Sequence, residues 1–269
     1  MISEFNVCHS LDILRSFCVS PIRHTALLIM KTTTRIIFTQ GGKGGVAKTE
    51  VLLSLVPWYR QQGIEPILLD FDIENTNKSG LQNFYPEAKK FDVHTEGALD
   101  ELFDICDESD SRIIIADLGA GAGSATYAWF EEAFQDAEEL NIKFTSIGVT
   151  TNEAGAVQSV LKWAAHLQDQ SEYLIVLNEL HEPHSKFEYW HKEPAVEKFQ
   201  QLLSPTIITM QARIQEFQAE LRNQSVTLQH VIDGIVSNDF LRKKKNTVRA
   251  NRYQRQLFAG FDSASHILI

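Results

Sequence analysis

A glycine-rich loop with two lysines is the part of this sequence best suited to bind phosphate. It follows an apolar segment of strand length, Arg35–Thr39, and leads directly into an apolar helical pattern. Glycines let successive backbone N–H groups turn towards phosphate oxygens, and the amino end of the following helix adds partial positive charge. In such a loop Lys48 would reach the β- and γ-phosphates of a nucleotide, and Thr49 would bind magnesium. The predicted phosphate-binding residues are Gly42, Lys43, Gly44, Gly45, Val46, Ala47, Lys48 and Thr49.

One residue departs from the usual spacing of a phosphate loop, G-x-x-x-x-G-K-[ST]. Ala47 stands where this pattern has the glycine that precedes the lysine. A methyl group is harmless at this position if the backbone is right-handed, but it crowds the loop if φ is positive. The sequence leaves both possibilities open.

Three aspartates lie at the ends of two further apolar segments. Pro66–Phe71 contains Asp70 and is followed at once by Asp72, and Arg112–Asp117 precedes a glycine-rich turn. Phosphoryl transfer needs mainly positioning and charge neutralisation around a metal ion, which carboxylates at strand ends can provide. Without the glycine loop, Asp70 and Asp72 would be interpreted as two solvated carboxylates. With it, we favour a catalytic and metal-binding role.

Apolar segments of strand length alternate with amphipathic segments of helical length. This alternation predicts an α/β fold with a mostly parallel, twisted sheet and helices on both faces. Together with the glycine loop, it indicates a single P-loop NTPase domain. Pro57 lies within the first helical segment, which it should either bend or shorten. The predicted strands are Arg35–Thr39, Pro66–Phe71, Arg112–Asp117, Lys143–Thr150, Tyr173–Leu177 and Thr206–Met210. The predicted helices are Lys48–Gln62, Glu96–Cys106, Ala125–Leu140, Glu153–Gln168, Pro194–Leu203, Gln215–Ile232 and one near Asn246–Phe258.

The loop from Lys43 to Thr49 resembles the deviant Walker A motif of the ParA/MinD family of P-loop ATPases, which dimerise around two nucleotides. The segment that begins Asp70-Phe71-Asp72-Ile73 is similar to a switch segment of the MinD branch. The segment from Ile113 to Gly121 resembles the family's Walker B and switch II motifs. Specific motifs cover roughly Thr34 to Asn178, and some details are most similar to the conjugative-transfer TraL-like branch.

The resemblance implies roles for individual residues. Lys43 would cross a dimer interface to the partner's phosphates, and Asp72 would orient the attacking water. Asp70 would support the magnesium shell, and Asp117 would hold magnesium (Mg2+) through water. The backbone at Gly119 and Gly121 would sense the γ-phosphate.

The nucleotide base is inferred from one asparagine. Asn178 follows the apolar segment Tyr173–Leu177, and the family commonly uses an asparagine at this strand end to hydrogen-bond adenine. The N-K-x-D pattern of many GTPases is absent, since Glu179 and His181 replace its lysine and aspartate. This favours ATP, although Asn178 could equally be satisfied locally in a turn.

Length, charge and cysteine usage exclude several classes of protein. The chain has 269 residues, is 43% hydrophobic and carries a formal net charge of -10, so its whole surface is unsuited to coating nucleic acid. Three widely spaced cysteines without a C-x-x-C pattern favour neither disulfides nor a metal cluster. No apolar run approaches the roughly 20 residues that span a bilayer. We therefore expect a soluble, cytoplasmic protein.

Two segments outside the core pattern need separate interpretation. Residues 1–29 lack a sustained period and are expected to be a poorly ordered extension or a mis-assigned start, with the P-loop ATPase domain at 30–269. Near the carboxyl end, a basic helical run is either a solvated face or a contact for DNA phosphate or anionic lipid, with DNA favoured. Its cations are Arg242, Lys243, Lys244, Lys245, Arg249, Arg252 and Arg255.

Together these features predict an ATP-binding, magnesium-dependent ATPase that switches by dimerising on ATP. Its turnover would be slow and stimulated by an unknown partner protein, and the resemblance suggests a use in plasmid or DNA partition or in conjugative transfer. The alternative is a nucleotide-sensing binding module with little or no hydrolysis. The replacement of the usual glycine by Ala47 would indicate such a module.

Overall fold

The computed structural model describes residues 33–40, 42–72, 80–92, 94–95, 97–108, 111–120 and 123–269. The chain divides into two units, Met1–Lys31 and Thr32–Ile269, and all described residues belong to the second. The predicted extension at 1–29, the switch residues 73–79 and Gly121 lie outside the described residues.

Within the described residues, seven parallel strands form one sheet in the order β3-β2-β4-β1-β5-β6-β7. The predicted α/β class with a parallel sheet is confirmed. The short strand β3 was missed because two lysines carry no apolar pattern. The strands are β1 (Thr34–Thr39), β2 (Ile67–Asp70), β3 (Lys89–Lys90), β4 (Ile113–Asp117), β5 (Ile142–Thr150), β6 (Glu172–Asn178) and β7 (Thr206–Met210).

The helices lie between and after these strands. None of those in the described residues combines the length and the apolar character that crossing a membrane requires. The helices are α1 (Lys48–Gln61), α2 (Leu81–Phe84), α3 (Glu101–Glu108), α4 (Gly123–Leu140), α5 (Ala154–Leu167), α6 (Glu188–Lys192), α7 (Pro194–Leu203), α8 (Gln215–Asn223), α9 (Leu228–Ile232), α10 (Lys244–Ser263) and α11 (Ser265–Leu268).

Alternate strand residues pack into two separate cores, so helices cover both faces of the sheet. Ile36 and Phe38 of β1 belong to a core with residues of α3, α4, α5 and α7. Ile37, between them, belongs to a second core with residues of α1, α10 and α11. A third, smaller core joins α8 and α9 to the first half of α10. Full burial of each large apolar side chain contributes roughly 1.5–3 kcal/mol, which fixes the strands in this register.

Helix α1 continues through Pro57 and is not shortened there. A proline has no N–H to donate to the carbonyl four residues earlier, here that of Leu53. The hydroxyl of Tyr85 donates to this carbonyl at 3.3 Å instead. The contact explains how the helix tolerates a proline in its interior.

Two predicted helices differ from the observed ones for local reasons. The predicted helix Gln215–Ile232 is divided into α8 and α9, because Ser225 has a φ of 49° and ends the first. The Thr227 hydroxyl accepts from the N–H of His230 and caps the second. Helix α3 starts at Glu101 and not at residue 96, since a turn with Gly97 at φ 77° precedes it.

The sheet brings the chemically interesting residues to one edge. Asp70 and Asp117 are register partners at the carboxyl ends of β2 and β4. β4 also pairs with β1, whose carboxyl end leads into the glycine loop. Ligands of open parallel sheets bind outside the carboxyl ends of the strands, so this edge is the candidate site.

Candidate functional site

The glycine loop between β1 and α1 has the backbone that an anion-binding loop requires. Gly42 and Gly45 have φ values of 103° and 76°, which favour glycine. Helix α1 begins at Lys48, so the loop ends at a helix amino terminus. The first turn of a helix directs backbone N–H groups beyond its end, where they and the helix dipole attract anions.

Ala47 takes the conformation that the sequence left undecided. Its φ is 76° and its ψ 39°, in the left-handed region. A residue with a Cβ atom is disfavoured there by about 1 kcal/mol relative to glycine. The alanine therefore strains the loop at the residue before Lys48.

The Lys48 side chain folds back over the loop. Its Nζ donates to the carbonyl of Lys43 at 2.9 Å. The Lys48 ammonium therefore lies next to the backbone of the loop at Lys43, and its contact with phosphate stays a prediction.

Thr49 and Asp117 meet at the start of α1. The Thr49 hydroxyl donates to Asp117 Oδ2 at 2.7 Å, and the Thr39 hydroxyl donates to Oδ1 at 2.9 Å. Asp117 is 1% exposed, and this burial raises its pKa to about 6, against the lowering effect of the two hydroxyls. Hydroxyl and carboxylate oxygens suit magnesium, and a cation would relieve the cost of a buried carboxylate. The donor set fits this metal.

In the described part of the chain, no three His, Cys, Asp or Glu side chains are arranged to hold a metal ion. A magnesium ion at Thr49 and Asp117 would therefore need phosphate oxygens and water as further ligands, which is its usual coordination with nucleotides.

Asp70 anchors the backbone around it. Its Oδ1 accepts from the N–H of Asp72 and its Oδ2 from the N–H of Gln82, both at 3.0 Å. Burial raises the pKa of Asp70, and these two hydrogen bonds act in the opposite direction. The carboxylate thus fixes the start of the segment that carries Asp72. Any support of magnesium by Asp70 stays a prediction.

Asp72 lies against the loop that follows β4. A Cβ atom at Gly119 would lie 2.5 Å from Asp72 Oδ1 and 2.9 Å from its Cα, so only glycine fits there. The next residue, Ala120, accepts from the N–H of Gly42 at 2.8 Å. The phosphate loop, the loop after β4 and Asp72 are therefore in contact.

Asn178 borders a cavity of about 570 Å³ next to the phosphate loop. Its side chain is buried, and Nδ2 donates to the carbonyl of Val46 at 3.0 Å. Gly45 and Ala47 line the same cavity, so a ligand held by the loop would extend into it. Among the residues of this cavity that sequence reasoning missed are Glu50 and Arg213. Two signals could have found them: Glu50 directly follows Thr49, and Arg213 follows the strand end at Met210.

Lys43 contacts helix α5 of its own chain. Its Nζ lies 3.1 Å from Glu153 Oε2, and both side chains are about half exposed. Glu153 also lies 4.0 Å from Nε2 of His181. The lysine that the family resemblance places at a dimer interface thus forms an exposed ion pair within its own chain.

The basic run begins just before α10 and continues along its exposed face. Arg242, Lys243, Lys244, Lys245, Arg252 and Arg255 are exposed, while Arg249 is half-buried. Arg249 Nη1 donates to Asn246 Oδ1 at 2.8 Å, which fixes its direction. Most of these cations are therefore accessible on one helix of an otherwise acidic chain.

Several solved structures show a distant resemblance to this chain. The MinC:MinD cell division protein complex of Aquifex aeolicus aligns with a TM-score of 0.49 and 17% identity, over 84% of this chain and 96% of that one. The MinD cell division protein of Aquifex aeolicus aligns with a TM-score of 0.48 and 15% identity, over 88% and 98%.

A third structure is the signal recognition particle 54 kDa protein of Aeropyrum pernix K1 in complex with GDP. It aligns with a TM-score of 0.43 and 14% identity, over 81% of this chain and 57% of that one. No family model and no curated protein matches the sequence. Because scores and identities are low, the fold assignment depends on the strand order and loop of this chain, and no function is taken from these structures.

Proposed function

We propose that this protein binds ATP with magnesium and hydrolyses it as a dimerising switch. The observation that carries the proposal is the convergence of the Lys48 ammonium and the Thr49–Asp117 pair at the amino end of α1. An ammonium group, a hydroxyl and a carboxylate beside a glycine loop are the groups that bind a phosphate chain complexed with a metal ion.

The chain's own residues divide this work. The backbone from Gly42 to Ala47 and the Lys48 ammonium would hold the phosphates. Thr49 and Asp117 would hold magnesium, and Asp70 would support the metal site. When bound, the metal ion would neutralise phosphate charge. Asp72, placed by Gly119, would orient the attacking water.

Adenine is the base that Asn178 favours. Its Nδ2 is engaged by Val46, which leaves Oδ1 as an acceptor for the exocyclic amino group of adenine. Guanine presents a carbonyl at the corresponding edge. The carboxylate of the adjacent Glu179 is directed towards His184, whose backbone N–H donates to Oε1 at 3.0 Å.

The rival function is a nucleotide-sensing module that hardly hydrolyses, and the positive φ of Ala47 is the observation that favours it. A steady-state ATPase assay with and without DNA separates the two. We expect slow turnover in the parent and faster turnover in Ala47→Gly, because glycine adopts a φ of 76° freely and restores the usual loop pattern beside Lys48. A parent that binds ATP but shows no turnover, with or without DNA, would favour the sensing module.

The dimer model makes a prediction about Lys43. In a dimer built around two nucleotides, Lys43 would leave Glu153 and reach the partner's phosphates. Lys43→Ala should therefore bind ATP but stay monomeric in light scattering. Glu153→Gln should raise the association constant of the dimer roughly two- to fivefold. The variant frees Lys43 from an exposed ion pair, and such a pair contributes only about 0–1 kcal/mol.

The matched control is Glu188→Gln, which breaks an exposed ion pair with Lys192 on α6 and should not change dimerisation. If Lys43→Ala dimerises like the parent, the dimer built around nucleotides is wrong.

We further propose that the basic face of α10 contacts DNA, consistent with a role in partition or conjugative transfer together with an unidentified stimulating protein. The chain is acidic as a whole, and this run is the densest cluster of cations in its sequence, so the run is best placed to neutralise several phosphates together. Replacing Lys243, Lys244, Lys245, Arg249 and Arg252 by alanine should weaken non-specific DNA binding and leave ATP affinity intact.

A salt titration measures this effect. Each neutralised phosphate adds roughly 0.9 to the slope of log affinity against log salt, so the parent should show the steeper slope. Binding should appear mainly with ATP, since a dimer carries two patches. The control replaces five exposed lysines outside α10 by alanine, namely Lys143, Lys162, Lys186, Lys192 and Lys198. Equal slopes for the parent and the α10 variant would remove DNA as a partner.

A further inference from the structure

The cavity beside the phosphate loop contains a buried charge network. Glu50 lies in the first turn of α1, and its side chain is 10% exposed. Arg213, from the loop after β7, is 8% exposed and places Nη1 2.6 Å from Glu50 Oε2. Arg222 Nε lies 3.2 Å from Glu50 Oε1, to which Gln218 also donates. Two guanidinium groups therefore face one carboxylate.

Arg213 has more donors than partners. Its Nη1 serves both Glu50 and Gln218 Oε1, the latter at 3.1 Å. Its Nη2 is buried and has no hydrogen-bond partner among the described residues. Buried donors in proteins are nearly always paired, because an unpaired one loses its hydrogen bonds to water without replacement. The second nitrogen of Arg213 therefore needs an acceptor from outside these residues, either water or a bound ligand in the adjoining cavity.

Glu50 does not depend on Arg213 alone. If the Arg213 guanidinium turned away, Arg222 and Gln218 would still contact the carboxylate. Arg222 is half exposed and can move closer at little cost. Arg213 can thus turn without leaving a buried charge unpaired, which would otherwise be prohibitive.

The network lies where a nucleotide held by the loop would extend. Glu50 and Arg213 line the same cavity as Gly45, Ala47 and Asn178. A lone Glu50 carboxylate at this position would repel the phosphates, whereas two cations around it leave a net positive charge. The carboxyl edge of the sheet therefore offers a nucleotide one more cationic donor than the phosphate loop itself provides.

We propose that Arg213 determines nucleotide affinity by direct contact: its guanidinium turns from Glu50 so that Nη2 donates to an acceptor oxygen of the bound nucleotide. The inference rests on the proposed ATP-binding function and adds to it a contact from the loop after β7. The competing explanation is that Arg213 only neutralises Glu50. The two explanations differ in the variant that lacks both charges.

The test is a calorimetric titration of ATP with magnesium into the parent, Arg213→Gln, Glu50→Gln and the double variant. We expect Arg213→Gln to weaken ATP binding at least tenfold, Glu50→Gln to leave it equal or tighter, and the double variant to stay at least fivefold weaker than the parent. Arg112→Gln is the matched control, because this exposed arginine precedes β4 at the opposite edge of the sheet.

The outcomes separate this inference from the proposed function. A parent that does not bind ATP would overturn the function itself. If the parent binds ATP and the double variant binds it with the parent's affinity, only the contact by Arg213 is overturned. Arg213 is then only the counter-ion of Glu50.

Discussion

A Lys48→Ala variant is expected to lose the thermal stabilisation that ATP and magnesium give to the parent. A ligand that binds only the folded state stabilises it by RT ln(1 + [L]/Kd), about 2.7 kcal/mol at a ligand concentration of 100 Kd. For a chain of this size, that corresponds to a rise in Tm of roughly 5–10 °C. Lys48 places its ammonium over the loop, so its removal should reduce the shift to within error.

The control for this measurement is Lys143→Ala, which removes an exposed lysine near the amino end of β5. It should keep the full ATP shift. GTP should stabilise the parent less than ATP does, because Asn178 offers Oδ1 to an amino group. An unchanged ATP shift in Lys48→Ala would falsify the assignment of the phosphate loop, and equal shifts with GTP would remove only the base assignment.

Much of the fold was predictable because parallel strands are buried on both faces and appear as continuous apolar runs. The predicted segments Arg112–Asp117 and Thr206–Met210 correspond to β4 and β7 within one residue. Short elements were not predictable. The helix α2 has four residues and the strand β3 two, too few for a period to appear. Strand order carries no local signal either, since it depends on which surfaces pack together.

The candidate site likewise has one part that the sequence predicts and another that it does not. Residues of the phosphate loop are close in sequence, so their types and spacing are enough to suggest their chemistry. The contacts that position them are not local. Arg213 and Glu50 are 163 residues apart in sequence, and Thr49 and Asp117 are 68 apart. Only the folded sheet brings these pairs together, which is why the charge network and the fit of Asp72 against Gly119 were missed.

The close contact between Asp72 and Gly119 leads to the second prediction with a large effect, which concerns the rate of ATP turnover. Asp72→Ala should still bind ATP, because the phosphate and magnesium contacts come from other residues, but it should lose turnover by roughly 10²–10⁴-fold. If the dimer opens on hydrolysis, this variant should accumulate as an ATP-dependent dimer in light scattering. A variant that keeps parental turnover would show that Asp72 does not orient the water.

Gly119→Ala tests the same assignment without changing the carboxylate. The added methyl group would lie 2.5 Å from Asp72 Oδ1 and 2.9 Å from its backbone Cα, closer than atoms can approach, so Asp72 must move. Because catalysis depends on a position held to a fraction of an ångström, we expect turnover to fall by at least about 10²-fold. Gly155→Ala is the matched control: a Cβ atom there meets nothing within 4 Å, and turnover should be unchanged. ATP-induced stabilisation should persist in both variants, which shows that they are folded. If Gly119→Ala binds ATP and turns over like the parent while Asp72→Ala does not, the aspartate acts from a different place, and the contact with Gly119 has no part in positioning it.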